Sequence, residues 1–555
     1  MKDKFVKLFD IKRKYTVVIL SFFLSLAVAF FLFVFDKIYY MMADDYLMHL
    51  ISAGEFGTGK DAYLVFINII LGYIISGLNK LFPWGDWFIL VYIFTIVNCF
   101  ACLVFVFLRK VKRVLPVVGL LLIETIIFYN LTFSIIAYLC ITTSLIYWYY
   151  LIDEKSKITI GRVLIICAFF CMGIFYRKSV WLSAVILFLP LVVVHIKQIC
   201  KTSTIIIVGS LVFVFLSACY INEQAYASSS LWKEYKEFNK IRPQIVDNIP
   251  IVYEDNVDEL QKIGLSENDL KCVYRWIFAD KETFSIENMQ ELAELNPVKE
   301  KWNFNIPDIL KKMLTLKYNY YFFIIIVLAF YFNEKKWYPY LTASALISYA
   351  QIAALYVRNR PVERIMLPIY FIGAVLLFLH SQKKLEQGKK YAVVNIVYLT
   401  IFVLTGVGLI LENREKVSMY ENKNEQYKIA YDYINSHSEV LFVGSSTTIN
   451  EISYSDPVFE IGTQMSSENV IKLGSWDIYS SRYYHQANKY GIEDKDRLIL
   501  GMVDNKNVNY IVQKQNKEEL IILEQYMKEH TEKDIDFVLK DEVSGMSIYQ
   551  VVTMR

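Results

Sequence analysis

Hydrophobic residues in this chain come in long blocks rather than in alternation. Tyr15 to Phe35 is almost wholly apolar, and comparable blocks recur at 87–108, 114–130, 132–151, 159–175, 180–196, 203–220, 317–333, 337–357, 366–380 and 391–411. A helix needs roughly 20 apolar residues to cross a bilayer, so each block is read as a span, about eleven in all. Basic residues set the sidedness. Lys12-Arg13-Lys14 precedes the first block, which places the N-terminus in the cytoplasm. A further apolar stretch, 62–78, is better read as a juxtamembrane or re-entrant helix. If it crossed, the cluster Arg109-Lys110-Val111-Lys112-Arg113 would fall outside, against the positive-inside rule.

Two polar stretches then lie on the outer face. Residues 221–316 are patterned as helices, with starts at Ser266-Glu-Asn-Asp269 and Ser285-Ile-Glu-Asn288, where a capping oxygen precedes acidic or amide residues. Residues 412–555 read as α/β. Val440 to Val443 is a short apolar strand running into Gly444-Ser445-Ser446. Arg497–Val503 and Val508–Val512 predict a hairpin around Asp504-Asn-Lys-Asn507, and Phe537–Leu539 with Ser547–Val551 predict another around Gly545. The expected organisation is an all-α polytopic membrane domain with two additions, an extracytoplasmic helical insertion and a C-terminal extracytoplasmic α/β domain. Its parts are 1–220, with an outer loop at 36–86, then 221–316, 317–411 and 412–555.

Composition agrees. Of 555 residues, 55% are hydrophobic and 16% aromatic, which suits a polytopic membrane protein. A formal net charge of +3 gives no sign of a nucleic-acid partner. Of the eight cysteines only Cys272 falls in a long polar stretch, so that stretch has no partner for an internal disulfide. Cys99-Phe-Ala-Cys102 matches a redox spacing but lies in an apolar helix and is read as packing.

Candidate chemistry starts at Ala43-Asp44-Asp45-Tyr46, just past the first block. Charge beside a membrane is costly and usually has a role. A partly desolvated carboxylate there suits a general base acting on a hydroxyl group; a helix N-cap is the bland alternative. If a helix starts here, Asp45 and His49 share a face four residues apart, which makes His49 a candidate support. Arg358, Arg360 and Arg364 cluster at one outer helix end, with Arg177-Lys178 at the same level. Guanidinium groups bind phosphate in bidentate fashion, and the alternative is snorkelling to lipid headgroups. Glu363, between arginines, is expected to pair with them, and Lys60-Asp61 to be a solvated turn.

The arrangement resembles GT-C fold glycosyltransferases, whose first outer loop opens with an acidic residue or pair and continues through juxtamembrane helices. Here the matching parts are Asp44 and Asp45, then 46–54 and 62–78. A narrower resemblance, to uncharacterised bacterial membrane proteins of that superfamily, rests on Ala43-Asp44-Asp45-Tyr46, on Arg358 through Pro368, and on Leu473-Gly474-Ser475-Trp476. The resemblance implies an integral protein of the bacterial cell membrane. It would move a sugar from a polyprenyl-phosphate-linked donor to a cell-surface glycan or lipid acceptor. Asp44 or Asp45 would be the base, and Arg177, Arg358, Arg360 and Arg364 would hold the phosphate. No second acidic motif follows, so no cofactor is expected and a metal-free mechanism is favoured, with a divalent metal left open. Alternatives are a polysaccharide polymerase or ligase using lipid-diphosphate oligosaccharides, and a transporter or flippase built around the intramembrane Glu124. The strand-Gly-Ser-Ser segment also resembles the nucleophile region of SGNH esterases, but the Asp-x-x-His pair of that family is missing: Met527 stands three residues before His530.

Overall fold

The computed structural model describes residues 14–111, 114–156, 158–199, 202–296, 302–380, 389–453, 455–531 and 534–554. Lys12, Arg13, Lys112 and Arg113 of the topology-setting clusters lie outside them.

Seven helices among the described residues are long and apolar enough to cross a membrane: Tyr15–Phe35, Trp87–Lys110, Phe133–Asp153, Ile160–Leu187, Thr204–Tyr226, Lys335–Val357 and Ile396–Ser436. An eighth follows if Ile306–Thr315 and Lys317–Phe332, bent by 85°, are taken as one. The described residues therefore support seven or eight spans and do not confirm the eleven expected from hydropathy. Val114–Tyr129 and Glu363–Phe378 have 16 residues each, roughly 24 Å of helix against a hydrocarbon core of about 30 Å. The blocks at 159–175 and 180–196 run together at first, then break into short turns after Leu187.

Ala62–Leu78 does not cross. It forms an extended lead-in followed by a 13-residue helix, Ile69–Leu81, capped by the Asn68 side chain. Gly72 lets this helix approach the lead-in: a Cβ there would lie 2.0 Å from the Ala62 carbonyl oxygen. Phe82, Trp84, Trp302 and Phe304 are exposed next to helix ends, as expected of side chains at a membrane–water boundary. The helix Ile306–Thr315 exposes Ile306, Leu310 and Leu314, the signature of a helix lying in the interface.

The last apolar helix does not end at 411. It runs unbroken from Lys389 to Ser436, leaves the bundle, and packs Tyr427, Ala430, Tyr431 and Ile434 against a five-stranded sheet. The strands are β1 (Leu441–Gly444), β2 (Val470–Lys472), β3 (Val508–Gln513), β4 (Ile535–Val543) and β5 (Met546–Thr553). They are ordered β2-β1-β3-β5-β4. β1 lies parallel to β2 and β3, while β5 runs antiparallel to β3 and β4. The β4–β5 hairpin matches the pattern in the sequence. The hairpin expected at 497–512 does not form. Leu498–Gly501 is a helical turn with Leu498 and Ile499 buried, and β3 takes β1 and β5 as neighbours. A short apolar run fits either element, and here burial against the insertion decides.

Residues 221–316 and the tail were expected as separate units, yet much of the insertion and the tail shares one core. Phe238, Leu260, Phe278 and Met289 pack with Leu441, Tyr479, Tyr510 and Tyr526. Arg497 to Asp280 (3.1 Å) and Lys281 to Asp496 (3.2 Å) tie its edges.

The seam depends on Gly474. A Cβ there would sit 2.2 Å from the Trp276 carbonyl oxygen, a backbone atom that cannot swing away. Gly474→Ala should therefore lower stability by about 1–3 kcal/mol, the usual cost of overpacking. Thermal unfolding of the detergent-solubilised chain checks this, and an unchanged midpoint would show that the seam is not close-packed.

Candidate active site

The acidic pair opens a helix, Ala43–Ala53, with both carboxylates in its first turn, where the helix dipole favours negative charge. Gly54 ends it in a left-handed conformation (φ 93°), donating its N–H to Leu50 and Ile51 carbonyls. The two acids face different surroundings. Asp45 is fully buried. Its Oδ1 accepts from the Tyr92 hydroxyl and from the Phe133 backbone N–H, both at 2.9 Å. Burial pushes its carboxyl up to about 7, with the Phe133 N–H and the Thr132 and Tyr92 hydroxyls pulling the other way. Asp44 lines a cleft of about 300 Å³. Its Oδ2 accepts from Arg364 Nη1 at 3.1 Å. Burial raises the Asp44 carboxyl, and the charges of Arg364 and Arg177 oppose that rise.

The arginines divide. Arg364 and Arg177 both act on Asp44. Arg177 is held by Ser134 at 2.5 Å and Ser179 at 3.2 Å, with its guanidinium 5.2 Å from the Phe133 ring. Arg360 is turned to Asp247 of the insertion, at 2.9 Å. Arg358 is exposed and makes no ion pair among the described residues. Glu363 does not pair with its arginine neighbours as expected; its charge falls on Lys416 and Tyr318.

His49 is not a partner of Asp45. Its Nε2 meets Asp86 Oδ2 at 2.8 Å, its Nδ1 meets the Tyr40 hydroxyl at 3.0 Å, and its ring stacks on Phe88. The helical spacing placed the two residues on one face, but the Trp87–Lys110 helix puts Tyr92 against one and Asp86 and Phe88 against the other. His49 thus fixes the loop to the N-cap of that helix.

Other residues were not visible from sequence. The remaining cleft wall comes from the extramembrane body: Trp276, Thr447, Asn450, Lys472 and Trp476. The body is held over the first outer loop by fully buried Arg482, which joins Asp61 and Asp477. Asp61 is thus an anchor rather than a solvated turn, and Lys60 donates to the Asn79 carbonyl. Tyr63 stacks on Trp232 at 4.0 Å, and the Tyr46 hydroxyl donates to the Asp456 carbonyl.

Three other groups are engaged within the chain. Glu124 Oε1 accepts from Ser25, while its Oε2 is buried without a hydrogen-bond partner among the described residues. The Ser445 hydroxyl donates to Glu519 and the Ser446 hydroxyl to the Gly474 carbonyl, and no described histidine contacts either serine. Asp269, Glu529 and His530 have ligand-competent atoms within 4.8 Å of one another. Asp269 already joins His530 at 2.8 Å and caps the Ser266 N–H. No such group among the described residues includes Asp44 or Asp45.

Asp45 sets a pH dependence. Its folded-state carboxyl titrates at about 7 against an ordinary 3.8. The folded form thus keeps a proton that the unfolded chain loses, so stability falls as pH rises from about 4 to about 7. The difference corresponds to about 4 kcal/mol. Asp45→Asn keeps both acceptor bonds and removes the charge. Its unfolding midpoint should rise relative to the parent between pH 5 and pH 8. A pH-independent difference would show that Asp45 is not protonated in the fold.

No family model matches this chain, and no curated protein matches it. Among solved structures, ArnT from Cupriavidus metallidurans, crystallised bound to undecaprenyl phosphate, aligns over 98% of this chain and 98% of its own, with 10% sequence identity and a TM-score of 0.37. A likeness that faint fixes neither the family nor the activity of this chain.

Proposed function

We propose that the chain is a membrane glycosyltransferase acting on the outer face, taking a sugar from a polyprenyl-phosphate-linked donor and passing it to a hydroxyl group of a glycan or lipid acceptor. The observation that carries this reading is the Arg364–Asp44 pair at 3.1 Å on the wall of a cleft. Base and phosphate ligand then stand side by side, as transfer requires.

The chemistry follows from that pairing. While Arg364 holds Asp44, the carboxylate is a poor base. The donor phosphodiester, with one negative charge, competes for Arg364 and Arg177, and Asp44 is released towards the acceptor. It removes the acceptor proton as the oxygen attacks the anomeric carbon. The bond from that carbon to the phosphate oxygen breaks, and the electron pair leaves with the phosphate. The arginines neutralise the charge that develops there. Attack opposite the leaving group inverts the anomeric centre. Asp45, closed off behind Tyr92 and Phe133, positions the helix rather than reacting. Arg358 and Arg360 are left out of this role, because one is exposed and the other is taken by Asp247.

An apolar groove supports a lipid carrier. It runs between Val114–Tyr129, Lys317–Phe332, Glu363–Phe378 and the long last helix, lined by residues such as Leu120, Ile123, Phe322, Ile325 and Ala374. Glu363–Phe378 begins at Glu363-Arg364, so the helix that walls the groove also carries the phosphate ligand. An isoprenoid chain in the groove would bring its phosphate towards Arg364.

Asp44→Asn keeps the shape of the side chain and removes the base. Transfer should drop about 100- to 10,000-fold, the usual worth of a positioned base, with insertion and expression unchanged. Arg364→Ala should weaken binding of a polyprenyl phosphate by about 2 kcal/mol. Glycan analysis of membranes and phosphate-lipid binding by the purified chain measure the two effects. Normal transfer in Asp44→Asn would remove the base from this reading, and unchanged lipid binding in Arg364→Ala would return that arginine to a purely structural role.

A further inference from the structure

The cleft has a second wall that the transfer chemistry does not use, built by the extramembrane body. Trp276, Trp476, Thr447 and Asn450 line it. Thr447 and Asn450 belong to the helix that follows β1, and the carboxyl end of the parallel strands of an open α/β sheet is where ligands bind.

The two indoles are held in place. Trp276 and Trp476 meet edge to face, 6.2 Å between ring centroids. The Trp276 backbone lies in the left-handed region (φ 56°), a strained geometry for a bulky side chain. Arg242 lies against both rings, fully buried, with its guanidinium 3.8 Å from the Trp476 centroid and 4.9 Å from that of Trp276. Its Nη1 donates to the Ser475 carbonyl, whereas Nε and Nη2 have no hydrogen-bond partner among the described residues. The rings are therefore its main contacts, and Arg242 serves to fix them. Both indoles stay partly exposed, so flat apolar surface remains open at the cleft.

The polar edge is arranged as well. Lys472 is engaged by the wall itself: its Nζ donates to Asn450 Oδ1 at 2.7 Å. An ammonium only donates, so the amide oxygen of Asn450 faces it and the amide nitrogen is turned away as a donor. That nitrogen and the Thr447 hydroxyl make no hydrogen bond among the described residues. A donor and a hydroxyl beside flat aromatic surface match a pyranose, whose carbon-bound hydrogens form an apolar face and whose hydroxyls ring the edge. An acyl chain in the same place would dehydrate the amide and the hydroxyl without pairing them, which costs free energy.

We propose that this wall is a pyranose subsite, that it makes the acceptor a glycan rather than a lipid, and that Lys472 is a positioning residue for the Asn450 amide. The word acceptor rests on the glycosyltransferase reading, whereas pyranose binding stands without it.

The test measures binding. The full chain, in a detergent without a sugar headgroup, is titrated with the methyl β-pyranosides of glucose, galactose and N-acetylglucosamine and followed by saturation-transfer NMR, with sorbitol as an acyclic control. At least one pyranoside should bind, with saturation strongest on the carbon-bound ring hydrogens, and sorbitol should not. Trp276→Leu should weaken that pyranoside about tenfold, the worth of one good contact. Asn450→Asp should do the same, because it keeps an oxygen for Lys472 but removes the donor. Lys472→Met should weaken binding and Lys472→Arg should preserve it. Binding of no pyranoside, equal binding of sorbitol, or unchanged binding in both Trp276→Leu and Asn450→Asp would each overturn the assignment. Cells carrying Asp44→Asn separate this claim from the chemistry. Pyranoside binding by the parent chain with normal surface glycan in that variant would keep the subsite and remove the base, while lost glycan with no pyranoside binding would do the reverse.

Discussion

The pair formed by Arg364 and Asp44 joins the two halves of the chain, and the rest of the site is arranged around it. The partners are 320 residues apart in sequence. One opens the first helix of the outer loop, and the other opens a helix of the C-terminal bundle. Both side chains are largely shielded from water, with relative exposures of 16% and 14%. An acid in such a place needs a cation, since an isolated buried charge costs several kcal/mol. The pair meets that need, and in the proposed mechanism it keeps the acid available, because a donor phosphate would take the cation over. Asp45 meets the same constraint differently, through two hydrogen-bond donors and a carboxyl pushed towards protonation.

Shielding of this kind has to be constructed, and the extramembrane body does it. The insertion and the tail form a single core, and that body is fastened over the loop by Arg482, by the Tyr63–Trp232 stack and by the Tyr46 hydroxyl. The long last helix carries the tail out from the bundle without a break. The cleft is therefore a composite. Asp44 comes to it from the membrane side, and Trp276, Thr447, Asn450, Lys472 and Trp476 come from the body above it.

Much of this was legible in the sequence, and the parts that were not share a cause. An acidic pair just past an apolar block marks Asp44 because charge at a membrane is rarely idle. Arg364 and Arg177 stand out as misplaced positive charge for the same reason. Ile69–Leu81 was recognisable as a helix that does not cross, since the basic clusters leave no room for another span. What failed was anything set by a distant neighbour. Helical spacing put His49 beside Asp45, but residues of another helix captured each separately. Asp61 looked solvated because Arg482 lies 421 positions away. The Leu498–Gly501 turn looked like a strand because β1, which occupies the edge of β3, is far off in sequence. Hydropathy counts eleven blocks where the described helices support seven or eight spans, because it does not register where a helix bends or stops.

The central claim is that a donor phosphate draws Arg364 away from Asp44. The most direct measurement is a cryo-electron microscopy structure of the full chain in nanodiscs with decaprenyl phosphate added. The account predicts that the phosphate sits within hydrogen-bonding distance of Arg364 and Arg177, that the Arg364–Asp44 contact opens from 3.1 Å to beyond ion-pair distance, and that the isoprenoid chain occupies the apolar groove. A bound phosphate elsewhere, with the Arg364–Asp44 pair intact, would contradict it.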